Sequence, residues 1–371
     1  MDIKISGFQL FVLIVLFEMG SAILFAPGSE SKQDAWISIL LGLAGGLLLF
    51  LVHYRLYLFY PDLPLTSYIR KITGKWLGTI IGLLYIIYFL YQAARILRDF
   101  GELLVTTVYT STPLFIINSL MVLSIVYACY KGFEVVARVA ELYFYFIYLF
   151  AIIGFLMIMF SGLIHIENLQ PILENGLRPV LKMFFQQTIY FPFGEMVVFT
   201  MFLPYINESK KVKVVCLGAM ILAGINIVIT SVVNISVLGV ELFTRSNFPL
   251  FSTVGKIQIS SFIQRLDPFF LIYLIIAGFF KITLFFNAVL IGIADIFKFE
   301  NHRKIIFPTG LIILFLSITI AANYSEHIME GIMVIPLYLH LPFQIIIPFI
   351  LLIMAYFRNR RQKQIKEYKN E

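Results

Sequence analysis

Three charged residues stand inside long apolar runs, where charge is costly: Glu18 in FQLFVLIVLFEMGSAILFA, Glu195 after QQTIYFPFG, and Lys281 in AGFFKITLFF. A carboxylate at the middle of a membrane span costs about 2.5 kcal/mol or more, so it normally faces a protein interior or a watery cavity. Two carboxylates and one ammonium can hold one another as an ion pair, or can meet the charged ends of a small ligand. Lys281 therefore has two compatible readings. It is a structural partner of Glu18 or Glu195, or an ammonium standing where a bound cation would otherwise sit. A further polar set, Gln92, Arg95, Arg98, Asp99 and Glu102, lies in one stretch. Arg95 with Asp99 and Arg98 with Glu102 have the i,i+4 spacing of self-neutralising helix pairs. Entering from Trp76, these charges lie roughly 30 Å along a helix at about 1.5 Å per residue, near the outer interface, and Gln92 lies deeper. Structural pairing is the favoured reading for the charges, and Gln92 is the better pocket candidate.

The elements that must position these groups are membrane spans. Of 371 residues, 60% are hydrophobic, 16% aromatic and only 13% charged, values foreign to a water-soluble domain. Ten apolar windows of span length follow one another, at about 8–26, 35–52, 76–105, 113–130, 142–164, 183–205, 214–239, 267–294, 305–322 and 335–357. They form a single polytopic transmembrane domain. Of the lysines and arginines, 19 fall in the loops and tail of one face and 6 on the other, which predicts that both termini are cytoplasmic. The net charge of +7 is explained by these loops, and no aromatic-interleaved basic patch of the nucleic-acid-binding kind exists. The basic tail RNRRQKQIKEYKNE is a solvated positive-inside segment that can also meet anionic membrane lipid. The apolar N-terminus lacks a convincing cleavage site and is read as retained. Two long outer connections, 164–182 and 240–266, call for short surface helices or re-entrant elements.

Enzymatic chemistry finds no support. The five histidines are scattered, no nucleophile and base are paired, and no phosphate-binding loop is present. Cys129 and Cys216 each close a span beside a basic loop, near a reducing compartment, and suggest neither a disulfide nor a metal site. No cofactor is expected.

Two spans carry helix-breaking residues beside their carboxylate. The first has Gly20 and Ser21 after Glu18; the sixth has Pro192 and Gly194 before Glu195. Proline removes a backbone donor and glycine weakens the helix, so both spans are predicted to be broken at membrane depth. The alternative for the first is a plain anchor whose Gly20 packs against a neighbour. The breaks are about half a chain apart and each opens five spans, an odd number, so the second block would be inverted relative to the first. Broken helices at matching places of inverted halves point to a midplane binding site. Half-helix N-termini suit a carboxylate and the opposite ends suit an ammonium, so the pair would form a receptor for a zwitterion.

The sequence also resembles a known family. EMGSAILFAP followed by DAWIS, then GKWLGTIIGLLYIIYFL, TSTPLF, KGFEVVARVAELYF, NLQPILENGLRPVLK, FPFGEMVVFTMFLPY and RLDPFFLIYLIIAGFFK, in that order, look like the B subunit of spore germinant receptors, the endospore germination permeases. That family resembles the amino acid–polyamine–organocation superfamily. The resemblance covers essentially the whole chain. It implies an all-α membrane protein of ten helices in a 5+5 inverted repeat of the leucine-transporter type, with helices 1 and 6 broken. It further implies a ligand-sensing subunit of the spore inner membrane, with a larger A subunit and a lipoprotein C subunit as partners and a germinant such as an amino acid as ligand.

Carried over by position, the first-span element falls on Gly20, Ser21 and Ala22, and the third-span position on Gln92. The sixth-span break falls on Phe193, Gly194 and Glu195, and the eighth-span position on Lys281, with Glu18 as a possible charge partner. Ala22 departs from the pattern, which has glycine there, so ligand identity does not transfer from a glycine-bearing relative. Gln92 and Lys281 favour a ligand with its own carboxylate or several hydroxyls. A sodium-independent, proton-coupled amino-acid transporter would share all of these features, and flux separates the two.

Overall fold

The computed structural model describes residues 4–257, 267–299 and 301–370, with backbone alone at 267–269 and 361–370. The predicted surface segment 240–266 thus lies partly outside the described residues. The elements are helical: α1 (Gly7–Phe25), α2 (Ala35–Phe59), α3 (Leu65–Thr73), α4 (Lys75–Thr107), α5 (Leu114–Lys131), α6 (Phe133–Phe160), α7 (Arg178–Met183), α8 (Val212–Arg245), α9 (Pro249–Gly255), α10 (Asp267–Phe297), α11 (Arg303–Thr319), α12 (Tyr324–Met333) and α13 (Ile347–Asn370). Between α7 and α8 the chain runs as a π turn, Phe184–Thr188, and a 3-10 helix, Phe193–Met201; a second π segment, Pro336–Ile346, leads into α13.

Eight of the described helices are long and apolar enough to cross a membrane, or nine when α11 and α12, bent by 99°, count as one span. The protein is an integral membrane protein, but the count of ten is not reached. The shortfall is the 183–205 stretch, where Pro192 interrupts the backbone ladder and no α-helix forms.

The first span differs from expectation. α1 is helical without interruption through Gly20, Ser21 and Ala22, and unwinds only at Ala26 (φ 49°), just before Pro27. One glycine costs a helix roughly 1 kcal/mol, too little to break a span that is packed on several sides. The absent side chain serves packing instead: a Cβ on Gly20 would lie 3.1 Å from Cβ and Cδ of Lys281 and 3.2 Å from the Ala277 carbonyl oxygen. The start of α1 is fixed by a capping box, in which Ser6 Oγ accepts from the Gln9 amide and Gln9 Oε1 from the Ser6 amide, both at 3.0 Å.

α1 and α10 form the centre. In their most apolar windows 78% and 83% of residues are buried, against 17% for α6, whose exposed apolar faces suit lipid. α1 packs on α6, α8 and α10, and α10 also packs along α4. Glu18 and Lys281 thus sit on the two most enclosed helices.

Contacts define two ends of the bundle. At one, the Ile5 amide donates to Tyr205 and the Asn207 amide to Ile5, each at 3.1 Å, the Lys4 amide donates to Glu134, Arg70 pairs with Asp295 at 2.7 Å, and Arg358 donates to the Ile72 carbonyl. At the other, Asp34 accepts from the Leu173 amide, Asn168 donates to the Ser236 carbonyl, and Phe248 lies against both Phe25 and Tyr324. Since the 193–205 stretch ends beside the start of α1, it runs antiparallel to α1.

Candidate functional site

A cavity of about 210 Å³ opens between α1, α4, the irregular 187–195 stretch and α12. Its polar lining includes Ser21, Gln92, Arg95, Asp99, Gln187, Glu195 and His340, with Phe25, Phe191, Ile328 and Ile332 among its apolar walls. Apolar walls with several convergent polar groups are the usual make-up of a small-molecule site. A larger groove of about 790 Å³ between α5, α6 and α10 is mainly apolar, its one charged lining residue being Lys131, and no buried carboxylate faces it.

The floor of the cavity is Glu195. Pro192 and Gly194 keep its segment out of the α-helical ladder; the Glu195 amide donates to the Pro192 carbonyl at 3.1 Å, which turns the carboxylate inward. Lys281 Nζ pairs with Glu195 Oε2 at 2.5 Å, and Gln92 Nε2 donates to Oε1 at 3.2 Å. The Lys281 ammonium also lies 4.8 Å from the Phe17 ring centroid and 4.9 Å from that of Phe191, within cation–π range. Lys281 is fully buried and Glu195 nearly so. A buried pair of this kind is weak evidence for stability, and removal of either partner strands a charge.

The sequence-derived residues separate into two groups. Ser21, Gln92 and Glu195 line the cavity. Lys281 lies behind Glu195, and Gly20 makes room for the lysine stem. Ala22 is enclosed in the apolar core, Phe193 packs against Gly46 of α2, and Gly194 lies against Gln344 and the Ile189 carbonyl; none of the three is part of the lining. Glu18 is fully buried, and neither of its carboxylate oxygens has a hydrogen-bond partner among the described residues.

Residues that sequence reasoning placed elsewhere complete the walls. The Arg98–Glu102 i,i+4 pair forms, at 2.9 Å, but the Arg95–Asp99 pair does not. Asp99 Oδ1 instead meets His327 Nε2 at 2.7 Å, and Arg95 Nη2 donates to the His327 carbonyl at 2.6 Å. Both groups hold α12 across the cavity. The partner is 228 residues away from Asp99, which no local spacing announces. His340 meets the Tyr88 hydroxyl through Nδ1 at 2.9 Å, and Gln344 donates to the same hydroxyl at 2.8 Å, so a buried network braces the cavity wall. Gln187 Oε1 accepts from the Gly28 amide at 2.8 Å and ties the exit of α1 to the irregular stretch.

A helical membrane protein with a charged, ligand-sized cavity at its most buried helices is built like a permease or a membrane receptor. The chain belongs to the spore germination permease family: the family model described as "Spore germination protein" matches residues 4–325. It is 47% identical over 363 residues to Spore germination protein KB of Bacillus subtilis (strain 168), covering 98% of this chain and 97% of that protein. Spore germination protein YndE of the same strain is 27% identical over 80% of this chain and 82% of its own length, and Spore germination protein A2 is 26% identical over 75% and 76%.

Proposed function

We propose that this chain is the germinant-sensing membrane subunit of a spore germinant receptor, and that a small nutrient, most simply an amino acid, binds in the cavity floored by Glu195. The observation that carries this reading is the buried Glu195, held by Lys281 at 2.5 Å and by Gln92 at 3.2 Å at the base of a cavity of about 210 Å³. A carboxylate with its charge already balanced can receive a ligand ammonium by exchanging partners, and that exchange gives binding a way to move α10 relative to the 187–195 stretch.

The subunit sits in the spore inner membrane with both termini cytoplasmic, together with a larger A subunit and a lipoprotein C subunit. Gathering of the basic loops at one end of the bundle supports this orientation. The antiparallel course of 193–205 relative to α1 supports a 5+5 inverted arrangement of the leucine-transporter type, with the interrupted stretch 184–205 as its sixth span. Only that one broken element enters the reading, since α1 is continuous. A proton-coupled, sodium-independent amino-acid transporter is a second reading. It is favoured by Glu18, a buried carboxylate that makes no hydrogen bond among the described residues and is thus a group that could carry a proton.

Spores lacking this chain, screened against amino acids, sugars and nucleosides, test the proposal. Loss of response to one nutrient class with other germination routes intact is expected. Unchanged germination with every nutrient contradicts it, and uptake of the nutrient by vesicles holding the protein alone would select the transporter.

A further inference from the structure

The carboxylate-binding element expected in α1 is absent, because its amides remain inside a continuous helix. If the ligand is an amino acid, its anionic end needs another partner. The cavity holds one. Arg95 lines it and is about nine-tenths buried. Its Nη2 is used by the His327 carbonyl at 2.6 Å, but Nη1 is buried and makes no hydrogen bond among the described residues, its ion pair with Glu330 Oε2 being stretched to 3.9 Å. A guanidinium presents donors in a fixed fork and cannot lose its charge, so a buried Nη that holds the half-exposed Glu330 only across 3.9 Å and makes no hydrogen bond leaves half of a carboxylate site unfilled. Leaving such a donor unpaired is costly, and a bound carboxylate would remove that cost.

The neighbouring charges leave this site open. Asp99 is engaged by His327 at 2.7 Å, Arg98 by Glu102 at 2.9 Å, and Glu195 by Lys281 at 2.5 Å. Gln92, Ile96 and Asp99 line the same cavity from the α4 face that carries Arg95. Gln92, which marks the position of Glu195, is three residues before Arg95, an axial step of about 4.5 Å. An anion receptor and a cation receptor thus lie within one helical turn.

We propose that Arg95 binds the ligand carboxylate through Nη1, opposite a ligand ammonium at Glu195, and so sets the preference of this cavity for free α-amino acids over their neutral carboxamides. This inference rests on the reading that the cavity takes an amino acid. It makes Arg95 a specificity-determining residue as well as a tether for α12.

The test uses the purified full-length protein in lipid nanodiscs and a panel of free L-amino acids, the corresponding carboxamides, sugars and nucleosides, read as ligand-induced thermal stabilisation. The unsubstituted protein should bind at least one amino acid with about tenfold or greater preference over its carboxamide, the factor expected for one charge-assisted hydrogen bond. Arg95→Gln should bring acid and amide to within about twofold of each other, while Arg95→Lys, which keeps the charge, should retain part of the preference. A tether alone would weaken both ligands alike and leave the ratio intact. Equal binding of acid and amide by the unsubstituted protein overturns the role of Arg95 without touching the amino-acid reading, and this comparison needs no variant to fold. A ratio preserved in Arg95→Gln overturns it as well. Binding of sugars or nucleosides in place of any amino acid would overturn the underlying reading itself.

Discussion

Lys281 and Glu195 form a buried ion pair, so deletion of one side chain tests burial before it tests function. Lys281→Ala leaves the buried Glu195 carboxylate without its ammonium, and a loss of about 3–5 kcal/mol is expected, seen as low abundance or a depressed melting temperature. The double variant Lys281→Met with Glu195→Gln removes both charges at similar volume and should regain most of that stability. If the double variant is no more stable than Lys281→Ala, the two residues do not act as a pair. The ammonium also supplies a fixed positive charge at the site, so response in potassium buffer free of sodium should equal that in sodium buffer; a strict sodium requirement would contradict this role for Lys281. At this scale the carboxylates and the lysine were legible because charge inside an apolar run is expensive. The partners of Arg95 and Asp99 were not, because an i,i+4 spacing is equally compatible with a tertiary partner such as His327, far away in sequence.

Among elements, α1 and the 184–205 stretch show how similar sequence cues lead to different backbones. Both have glycine beside a buried carboxylate, but only the second also has proline, and only the second leaves the α-helical ladder. A glycine is ambiguous in sequence because its missing side chain serves a bend or a close approach alike, and the lysine that approaches Gly20 comes from α10. Gly20→Ala should therefore displace the Lys281 stem and destabilise the protein by about 1–3 kcal/mol through overpacking, while α1 stays helical. Gly42 performs the corresponding service for the irregular stretch: a Cβ there would lie 2.5 Å from the Thr188 carbonyl oxygen and 2.7 Å from its Cβ. Gly42→Ala should push 184–188 off α2 at a similar cost of about 1–3 kcal/mol, measurable as a lower melting temperature. An unchanged melting temperature in either variant would refute the packing role assigned to that glycine. α12 left little trace in the sequence. It is short, its apolar content is interrupted by Glu326 and Glu330, and its tethers to α4 come from residues far away in sequence.

For the molecule as a whole, an all-helical membrane protein was legible from composition, because span-length apolar windows leave few alternatives. The number of spans was less so: hydropathy counts 183–205 as a helix, whereas the backbone there is π, turn and 3-10. Orientation rests on the basic loops and is open to direct measurement. Cys129 and Cys216 are buried, so thiols introduced as Asn175→Cys and Gly255→Cys can be labelled against a quiet background. Both should react with an impermeant reagent added from outside intact cells, and reaction only after the cytoplasmic face is opened would reverse the orientation.

A nutrient sensed at the charged floor of the cavity should bind less well when that floor loses its charges. Spores carrying the Lys281→Met, Glu195→Gln double variant, matched for protein abundance, provide the measurement: the nutrient concentration giving half-maximal germination. A rise of about tenfold or more is expected, the consequence of losing at least one charge-assisted contact to the ligand. An unchanged half-maximal concentration, with the variant present at normal level, would contradict it.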